Sequence, residues 1–177
     1  MLSIDPVVSW IAALAVALLF ATAAVHKLRD WPRFRGIVAD YRVVPQWFAT
    51  PAAVAVVVLE VAAVALLSWP GLRPVGGLLA GSLLIAYAVG IAINLHRGRT
   101  TLDCGCVGAG RRSRIHRGMV VRNLLLAVSM LLVIVPPGDR GMAALDWLTI
   151  VGFTAVLALL YVAIDTLSSV ALHARTS

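Results

Sequence analysis

The chain has 177 residues, of which 61% are apolar and 13% are charged, and its formal net charge at pH 7 is +7. This apolar content exceeds what a soluble domain of such length can bury, so a soluble enzyme, a disordered tail and a collagen-like fibre are excluded. Two cysteines are too few for a disulfide-stapled secreted module. We therefore predict an all-α membrane protein with a single integral membrane domain over residues 1–177.

Five apolar runs are long enough to cross a hydrocarbon core about 30 Å thick, which needs roughly 20 helical residues. They cover approximately residues 7–25, 51–69, 75–95, 119–135 and 147–164. We predict that the first run is a membrane span rather than a cleaved signal peptide, because no lysine or arginine precedes it and Asp5 is acidic. The predicted architecture is a polytopic helix bundle with about five transmembrane helices.

A further helix is one interpretation of the segment between the first two spans. Its apolar residues recur at steps of three and four, with charged residues on the other side, as is typical of an amphipathic helix on a membrane surface. These apolar residues are Phe34, Ile37, Val38, Tyr41 and Val44. A plain loop is the alternative, because the segment is short.

Lysine and arginine residues are distributed unequally between the two sides that five spans define. One side has twelve: Lys27, Arg29, Arg33, Arg35, Arg42, Arg97, Arg99, Arg111, Arg112, Arg114, Arg117 and Arg175. The other side has only Arg73 and Arg140. The positive-inside rule therefore predicts a cell-membrane protein whose amino terminus is outside and whose two long loops are cytoplasmic. This asymmetry accounts for the basic charge without nucleic acid, and we predict no nucleic-acid partner.

Both cysteines lie in the third loop, in the sequence Asp103-Cys104-Gly105-Cys106. Gly105 tolerates the sharp bend that a small disulfide ring needs, and strain in such a ring raises its reduction potential, which favours redox cycling over a structural bridge. The thiolate form is favoured by neighbouring arginines and by the dipole of the fourth helix if this helix begins near Ser113, whereas Asp103 opposes it. The arginines are Arg99, Arg111, Arg112 and Arg114.

Two other interpretations of the cysteine pair remain open. The cysteines could lie in an interfacial loop without a chemical role, or they could bind Zn(II) or Cu(I) together with His96 and His116. The spacing matches no standard zinc pattern, so we predict no metal site.

Several polar residues lie within or at the ends of the spans, where a charge costs about 2.5 to 3.5 kcal/mol and needs a partner or a function. Glu60, near the middle of the second span, is either protonated or paired with a cation on another helix, and either helix packing or proton handling would explain it. Counting the crossings places five others near the membrane face that carries the cysteines: His26, Asn94, Arg122, Asn123 and Asp165. Interfacial capping is the simplest role for His26, Asn94 and Asn123. Arg122 and Asp165 could form an ion pair.

Small residues recur on one side of the third span. Gly77 and Gly81 are four residues apart, and Gly90 continues the same face. This pattern predicts close contact with a neighbouring helix.

Several of these residues together resemble the methylamine-utilisation protein MauE family, which is grouped with DoxX-like redox-associated membrane proteins. The resemblance extends from about His26 to Asn123, and Val107 replaces the phenylalanine that the family usually has. Its motifs are His26-Lys27-Leu28, Tyr41, Pro45, Leu59-Glu60, Asn94, Arg97-Gly98, Asp103-Cys104-Gly105-Cys106, Gly108 and Arg122-Asn123.

The resemblance implies a membrane protein that supports disulfide formation in maturing methylamine dehydrogenase. We accordingly predict thiol-disulfide exchange by Cys104 and Cys106. The predicted supporting residues are His26, Glu60, Asn94, Asp103, Gly105, Arg122 and Asn123. Membrane lipid, a thioredoxin-like or other redox protein and a quinone acceptor are the expected partners.

The alternatives are a membrane scaffold for assembly, with incidental cysteines, and a metal-handling protein. One conflict also remains, because oxidation of extracytoplasmic proteins needs the cysteines outside, whereas the charge count places them in the cytoplasm. We give the charge count more weight, because both long loops have lengths for which the rule holds.

Overall fold

A computed structural model describes residues 4–99, 102, 115–138 and 140–174 of the chain, with side chains to residue 164 and that of Leu167. The helices in this part of the chain are α1 (Pro6–Arg29), α2 (Trp31–Tyr41), α3 (Ala49–Ser68), α4 (Arg73–His96), α5 (Arg117–Ser129), α6 (Leu131–Ile134) and α7 (Ala144–Ala174). Among the described residues, β structure is limited to one isolated bridge between Ile4 and Pro137. The predicted all-α fold is confirmed.

Five helical segments are long and apolar enough to cross a membrane. They are Pro6–Arg29, Gln46–Ser68, Pro70–His96, Arg117–Ile134 and Ala144–Ile164. The chain is therefore a multi-pass membrane protein. Successive spans run in opposite directions, so the bundle has two ends. We call the end at which α1 begins the Asp5 end, and the opposite end, at which α2 finishes, the Tyr41 end.

The observed helices are longer than the predicted spans at several ends. The first continues past residue 25 to Arg29, because charged residues in a last turn can extend into water without ending the helix. The last runs to Ala174, ten residues beyond the predicted end at residue 164. The fourth span is interrupted at Met130, between α5 and α6.

The segment after α1 is a helix rather than a plain loop. Pro32 lies in the first turn of α2, where its missing N–H costs no hydrogen bond. The helix buries Phe34 and ends at Tyr41, and the residue after it, Arg42, has a φ of 47° in the left-handed region. The helical interpretation is confirmed for Trp31–Tyr41, whereas Val44 follows the helix and a position on the membrane surface stays a prediction.

The small residues of α4 allow close contact with its neighbours, as predicted. A Cβ atom on Gly77 would lie 3.2 Å from Ile134 Cγ1, and one on Gly81 would lie 3.7 Å from Met130 Cβ. A Cβ atom on Gly90 would lie 3.7 Å from the ring of Tyr41. The glycines therefore bring α4 against α2, α5 and α6.

The packed core lies between α1, α3, α4 and α6, where it includes Phe20, Leu67, Leu84 and Val133. In contrast, α7 packs mainly on α1 and leaves most of its apolar side chains exposed. An exposed apolar helix is what a bilayer, rather than water, accommodates. The lipid-facing surface of the bundle therefore includes most of α7.

Tryptophans mark both ends of the bundle. The Asp5 end carries Trp10, Trp69 and Trp147, and the Tyr41 end carries Trp31 and Trp47. Amphipathic indole rings concentrate at the headgroup level of membranes. Their positions agree with a bilayer whose surfaces lie near these two ends.

Candidate functional site

The cysteine segment is anchored at the Tyr41 end by the two residues that flank it. The amide of Ile115 donates a hydrogen bond to the carbonyl oxygen of Leu102, at 3.1 Å. Leu102 also packs against a small buried cluster that contains Ile91, Ile115 and Met119. Leu102 and Ile115, the residues on either side of segment 103–114, are therefore held together against this cluster. We call these two residues and the cluster the base of the cysteine segment.

Four predicted site residues lie inside that segment: Asp103, Cys104, Gly105 and Cys106. They lie outside the described residues, so their predicted roles remain predictions. The fourth span does not begin near Ser113, as one part of the thiolate argument required, but at Arg117. The reason is local, because the amide of Ile115 is already bonded to Leu102 and His116 is extended, with φ −147°.

Asn94 connects α2 to α4 beneath this base. Its side chain is fully buried, and Nδ2 donates to the carbonyl oxygens of Tyr41, at 3.1 Å, and Gly90, at 3.0 Å. Its Oδ1 accepts a hydrogen bond from Arg99 Nη1, at 3.3 Å. Asn94 is therefore an interhelical connector, a more specific role than the interfacial capping that the sequence suggested.

Two arginines after α4 bind the backbone at the end of α2. Arg99 Nη1 donates to the carbonyl oxygen of Asp40 at 2.7 Å, and Arg97 Nη1 donates to that of Arg42 at 3.2 Å. Between them, Gly98 has a φ of 70°, which a side chain would disfavour. Two cationic groups are thereby fixed close to the point where the cysteine segment begins.

A second polar cluster lies inside the bundle and joins three helices. Lys27 of α1 donates a hydrogen bond to Glu60 Oε1 of α3 and another to the hydroxyl of Tyr87 of α4, the latter at 3.1 Å. The Tyr87 hydroxyl donates to the same Glu60 oxygen, at 2.6 Å. Lys27 Nζ also lies 5.1 Å from the ring centroid of Phe34. Glu60 is fully buried and Lys27 is 3% exposed.

Of the two alternatives for Glu60, the structure shows the ion pair. Lys27 had been counted among the loop cations, and that assignment is wrong. Helical side chains point toward the amino terminus of their helix, so the long lysine stem returns from the last turn of α1 into the bundle. Without Lys27, eleven basic residues remain on the side of the two long loops, against two on the other side. The predicted orientation is therefore unchanged.

Sequence reasoning also missed Tyr87. A tyrosine on an apolar helix is usually a packing residue, but a buried hydroxyl needs a partner. Glu60 was the only acidic residue predicted in the interior of a span next to that of Tyr87. The hydrogen bond between these two side chains could therefore have been inferred from the sequence.

One oxygen of this cluster has no donor among the residues that the structure describes. Glu60 Oε2 is buried and receives no hydrogen bond from the residues that the structure describes. A carboxylate with one oxygen bonded to a cation and a hydroxyl, and the other unbonded, is held in place but incompletely solvated.

The remaining predicted residues lie in separate environments at the Tyr41 end. His26 is partly buried, and its carbonyl oxygen accepts the amide of Asp30 at 3.2 Å. The guanidinium of Arg122 lies 5.2 Å from the ring centroid of Tyr161. Asn123 is 4% exposed, and its Nδ2 receives no acceptor from the described part of the chain.

Pairing of Arg122 with Asp165 remains a prediction, because the side chain of Asp165 is outside the described set. The same holds for the metal alternative. The described residues contain no group of three or more histidine, cysteine, aspartate or glutamate residues that could hold a metal ion. Two of the four proposed ligands, Cys104 and Cys106, lie beyond them.

The Asp5 end has its own polar cluster. Arg140 Nε and Nη2 each donate to the Asp5 carboxylate at 3.2 Å, and Nη1 donates to Asp146 Oδ2 at 3.0 Å. The hydrogen bonds from Arg140 and from the amide of Val7 hold the pKa of the Asp5 carboxyl below its ordinary value. Hydrogen bonds from Arg140 to Asp146 and Asp5 raise the pKa of Arg140. The cluster therefore fixes the start of α1 to the connection between α6 and α7.

Comparison with known proteins now gives the family. The family described as "Methylamine utilisation protein MauE" matches residues 5–136, from the start of α1 to the end of α6. The chain belongs to the MauE family. The match contains the base of the cysteine segment and the cluster of Lys27, Glu60 and Tyr87, whereas α7 follows it. The resemblance deduced from the motifs is confirmed.

Individual MauE proteins match over most of the chain. The methylamine utilization protein MauE of Methylophilus methylotrophus is 37% identical over 163 residues, which cover 91% of this chain and 86% of the relative. That of Paracoccus versutus is 35% identical over 158 residues, covering 89% and 85%. That of Paracoccus denitrificans is 40% identical over 124 residues, covering 70% and 66%. No solved structure matches the chain.

Proposed function

We propose that this MauE-family protein is a membrane accessory of methylamine utilisation that exchanges thiols and disulfides through Cys104 and Cys106. One observation carries the proposal. The only two cysteines of the chain lie one residue apart in a segment whose ends are joined by the hydrogen bond between Leu102 and Ile115. Such an anchored pair keeps the entropy cost of bringing two thiols together small.

The proposed reaction is a two-electron exchange. A thiolate of a partner protein attacks one sulfur of the Cys104–Cys106 disulfide, forming a mixed disulfide and releasing the other cysteine as a thiolate. A second partner thiolate then attacks the mixed disulfide. The partner leaves with a new disulfide, and Cys104 and Cys106 are left as two thiols that carry the two protons of the partner thiols.

Regeneration needs an acceptor of two electrons and two protons. A membrane quinone fits this stoichiometry, because oxidation of the two thiols to a disulfide converts one quinone to one quinol. A thioredoxin-like disulfide would serve equally in stoichiometric terms. In either case the acceptor meets the pair at a membrane surface.

The charges near the base of the segment support a reactive thiol. Arg97 and Arg99 are held by backbone carbonyl oxygens at the end of α2, so their charges stay near the start of the segment. Three further arginines, Arg111, Arg112 and Arg114, are within the segment itself. A positive environment lowers the pKa of a cysteine thiol and increases the thiolate fraction.

The family name and the names of the relatives support the pathway. We propose that the partner is methylamine dehydrogenase during maturation, or a thioredoxin-like protein that passes disulfides to it. The pathway and the chemistry are separable, since thiol-disulfide exchange would serve another disulfide-containing partner in the same way.

Trapping the mixed disulfide is the direct test. Cys104→Ser and Cys106→Ser variants, each with one thiol left, should accumulate a covalent complex that reducing agent releases and mass spectrometry identifies. The double serine variant is the matched control and should trap nothing. A double variant that supports growth on methylamine as well as the unsubstituted protein does would refute the exchange chemistry.

An assembly scaffold is the second candidate function. It is favoured by the cluster of Lys27, Glu60 and Tyr87, which joins three helices without any cysteine. A scaffold predicts that Glu60→Gln abolishes support for growth while the double serine variant retains it. The exchange mechanism predicts that the double serine variant loses support for growth while remaining folded in the membrane.

A further inference from the structure

We propose that Arg73, at the Asp5 end of the bundle, binds the phosphate of a phospholipid headgroup. This site is independent of the cysteine chemistry and lies at the opposite end of the helices. The ligand is a phosphate group. A free phosphate ion could supply the same group, and the experiment below distinguishes it from a lipid headgroup.

The guanidinium of Arg73 is buried, and two of its nitrogens have no acceptor in the described part of the chain. Arg73 is the first residue of α4 and is only 8% exposed. Its guanidinium carbon lies 3.9 Å from the ring centroid of Trp10. Among the described residues, neither Nε nor Nη1 of Arg73 has a hydrogen-bond partner. The ring face attracts the cation, but the N–H donors still need acceptors.

The carboxylates described at this end are already engaged. Asp5 and Asp146 both accept hydrogen bonds from Arg140, and Asp146 also accepts the amide of Ala143 at 2.8 Å. Neither carboxylate bonds to Arg73. Both unpartnered donors are enclosed by protein atoms, so an acceptor from outside the protein reaches them where the Arg73 side chain turns outward at the headgroup level.

The start of α4 adds a second preference for an anion. Its first turn contains no acidic residue, and no side chain caps its amino terminus. The amino-terminal end of a helix carries partial positive charge and unpaired amides, which favour an anion there. Arg73 and the amino terminus of α4 therefore both favour binding of an anion.

The position of Arg73 along the bilayer normal favours a lipid phosphate as the anion. Trp10, Trp147 and Trp69 lie at the same end, the first two with ring centroids 5.5 Å apart and the third 67% exposed. Indole rings mark the headgroup level of a bilayer, which is also where lipid phosphates lie. A planar guanidinium matches the oxygens of a phosphate better than a point charge does.

Native mass spectrometry of the full chain in detergent tests the proposal. The protein is titrated with phosphatidylglycerol and with diacylglycerol, which has the same acyl chains but no phosphate. We expect tighter binding of phosphatidylglycerol, and we expect Arg73→Gln to weaken that binding about tenfold while leaving diacylglycerol unaffected. Ser68→Ala is the control, because the Ser68 hydroxyl lies at the same end and bonds to the carbonyl oxygen of Val64 in its own helix, and it should retain the preference.

Inorganic phosphate distinguishes the two sources. If it raises the unfolding temperature of the unsubstituted protein but not of Arg73→Gln, while the two lipids bind alike, the site holds a free ion. If Arg73→Gln does not fold, Arg73→Lys should show an intermediate preference for phosphatidylglycerol. Equal binding of both lipids by the unsubstituted protein, with no effect of inorganic phosphate, overturns the proposal.

Discussion

Lys27 and Glu60 are 33 residues apart in the sequence, yet they form an ion pair that is almost completely enclosed by the bundle. The pair joins the end of α1 to the middle of α3, and Tyr87 extends it to α4. Removing one partner of such a pair leaves an uncompensated charge in an apolar interior. This cluster is therefore the polar connection on which the arrangement of the first three spans most depends.

Loss of one partner should be more harmful than loss of both. We expect Lys27→Met or Glu60→Leu alone to lower the free energy of unfolding by about 3–5 kcal/mol, and the double variant to recover part of that loss. Thermal unfolding in detergent measures the change. Arg29→Gln removes a charge from the same end of α1 but from an exposed side chain, and should change stability by less than about 1 kcal/mol. A double variant less stable than either single one would contradict this view of the pair.

The hydroxyl of Tyr87 should contribute a smaller amount. Tyr87→Phe keeps the ring, whose centroid lies 4.9 Å from Lys27 Nζ, and removes the hydroxyl that donates to Glu60 and accepts from Lys27. We expect a loss of about 1.5–3 kcal/mol, as for a hydrogen bond to a charged group. The loss should shrink when Tyr87→Phe is introduced into Glu60→Leu. Equal losses in both backgrounds would show that the hydroxyl does not act through Glu60.

Asn94 should control how firmly α2 is attached. Asn94→Leu removes the donor to the Tyr41 carbonyl oxygen and the acceptor of Arg99, so we expect faster hydrogen exchange near the end of α2. Hydrogen exchange followed by mass spectrometry locates the change. Ser82→Ala is a suitable control, because the Ser82 hydroxyl bonds only to the carbonyl oxygen of Leu78 in its own helix. Unchanged exchange in α2 would argue against the connector role.

The attachment of the amino terminus should weaken in acid. The pKa of Asp5 is lower in the folded protein than its ordinary value of 3.8, chiefly because Arg140 donates hydrogen bonds to it. A carboxyl with a depressed folded pKa stabilises the structure above its unfolded pKa and loses this contribution as pH falls through the folded value. We therefore expect lower protection factors at the start of α1 below about pH 4, after the rates are corrected for the intrinsic pH dependence of amide exchange.

The control for this acid effect is Asp5→Asn, which should weaken the attachment at neutral pH and respond less to acid. Equal protection factors at the start of α1 at pH 7 and in acid would show that the bond between Asp5 and Arg140 contributes nothing measurable there.

Labelling should show on which side of the membrane the cysteines lie. The basic residues predict that an impermeant maleimide reacts with Cys104 and Cys106 in inverted vesicles and not in intact cells. A single cysteine introduced at the exposed Leu72 in the double serine variant provides the reciprocal control, because it lies at the Asp5 end. Labelling of Cys104 in intact cells would reverse the predicted orientation.

Local patterns in the sequence account for most of the fold. Hydropathy defined the five spans because a span is continuous in sequence, and the three- and four-residue steps defined α2 because one helix face is local too. The glycines of α4 were interpretable for the same reason. The break at Met130 was not predictable, because no proline or glycine marks it.

The polar clusters were harder to predict because their members are distant in sequence. Glu60 was identified by its cost in an apolar span, but its partners depend on how three helices pack. Lys27 looked like a flanking charge, since only the path of its side chain separates a buried lysine from a loop lysine. Asn94 was likewise found as a polar residue, whereas its contact with Tyr41 depends on the position of α2.

The ion pair between Lys27 and Glu60 also constrains how the chain is inserted during synthesis. When α1 leaves the ribosome, its lysine has no counter-ion, because Glu60 emerges two helices later. A lone ammonium group near a membrane surface remains hydrated, so α1 can settle at full depth only once α3 arrives beside it. We therefore expect insertion of the first two spans to be coupled to formation of this ion pair, so that a chain interrupted before residue 60 is less stable in the bilayer.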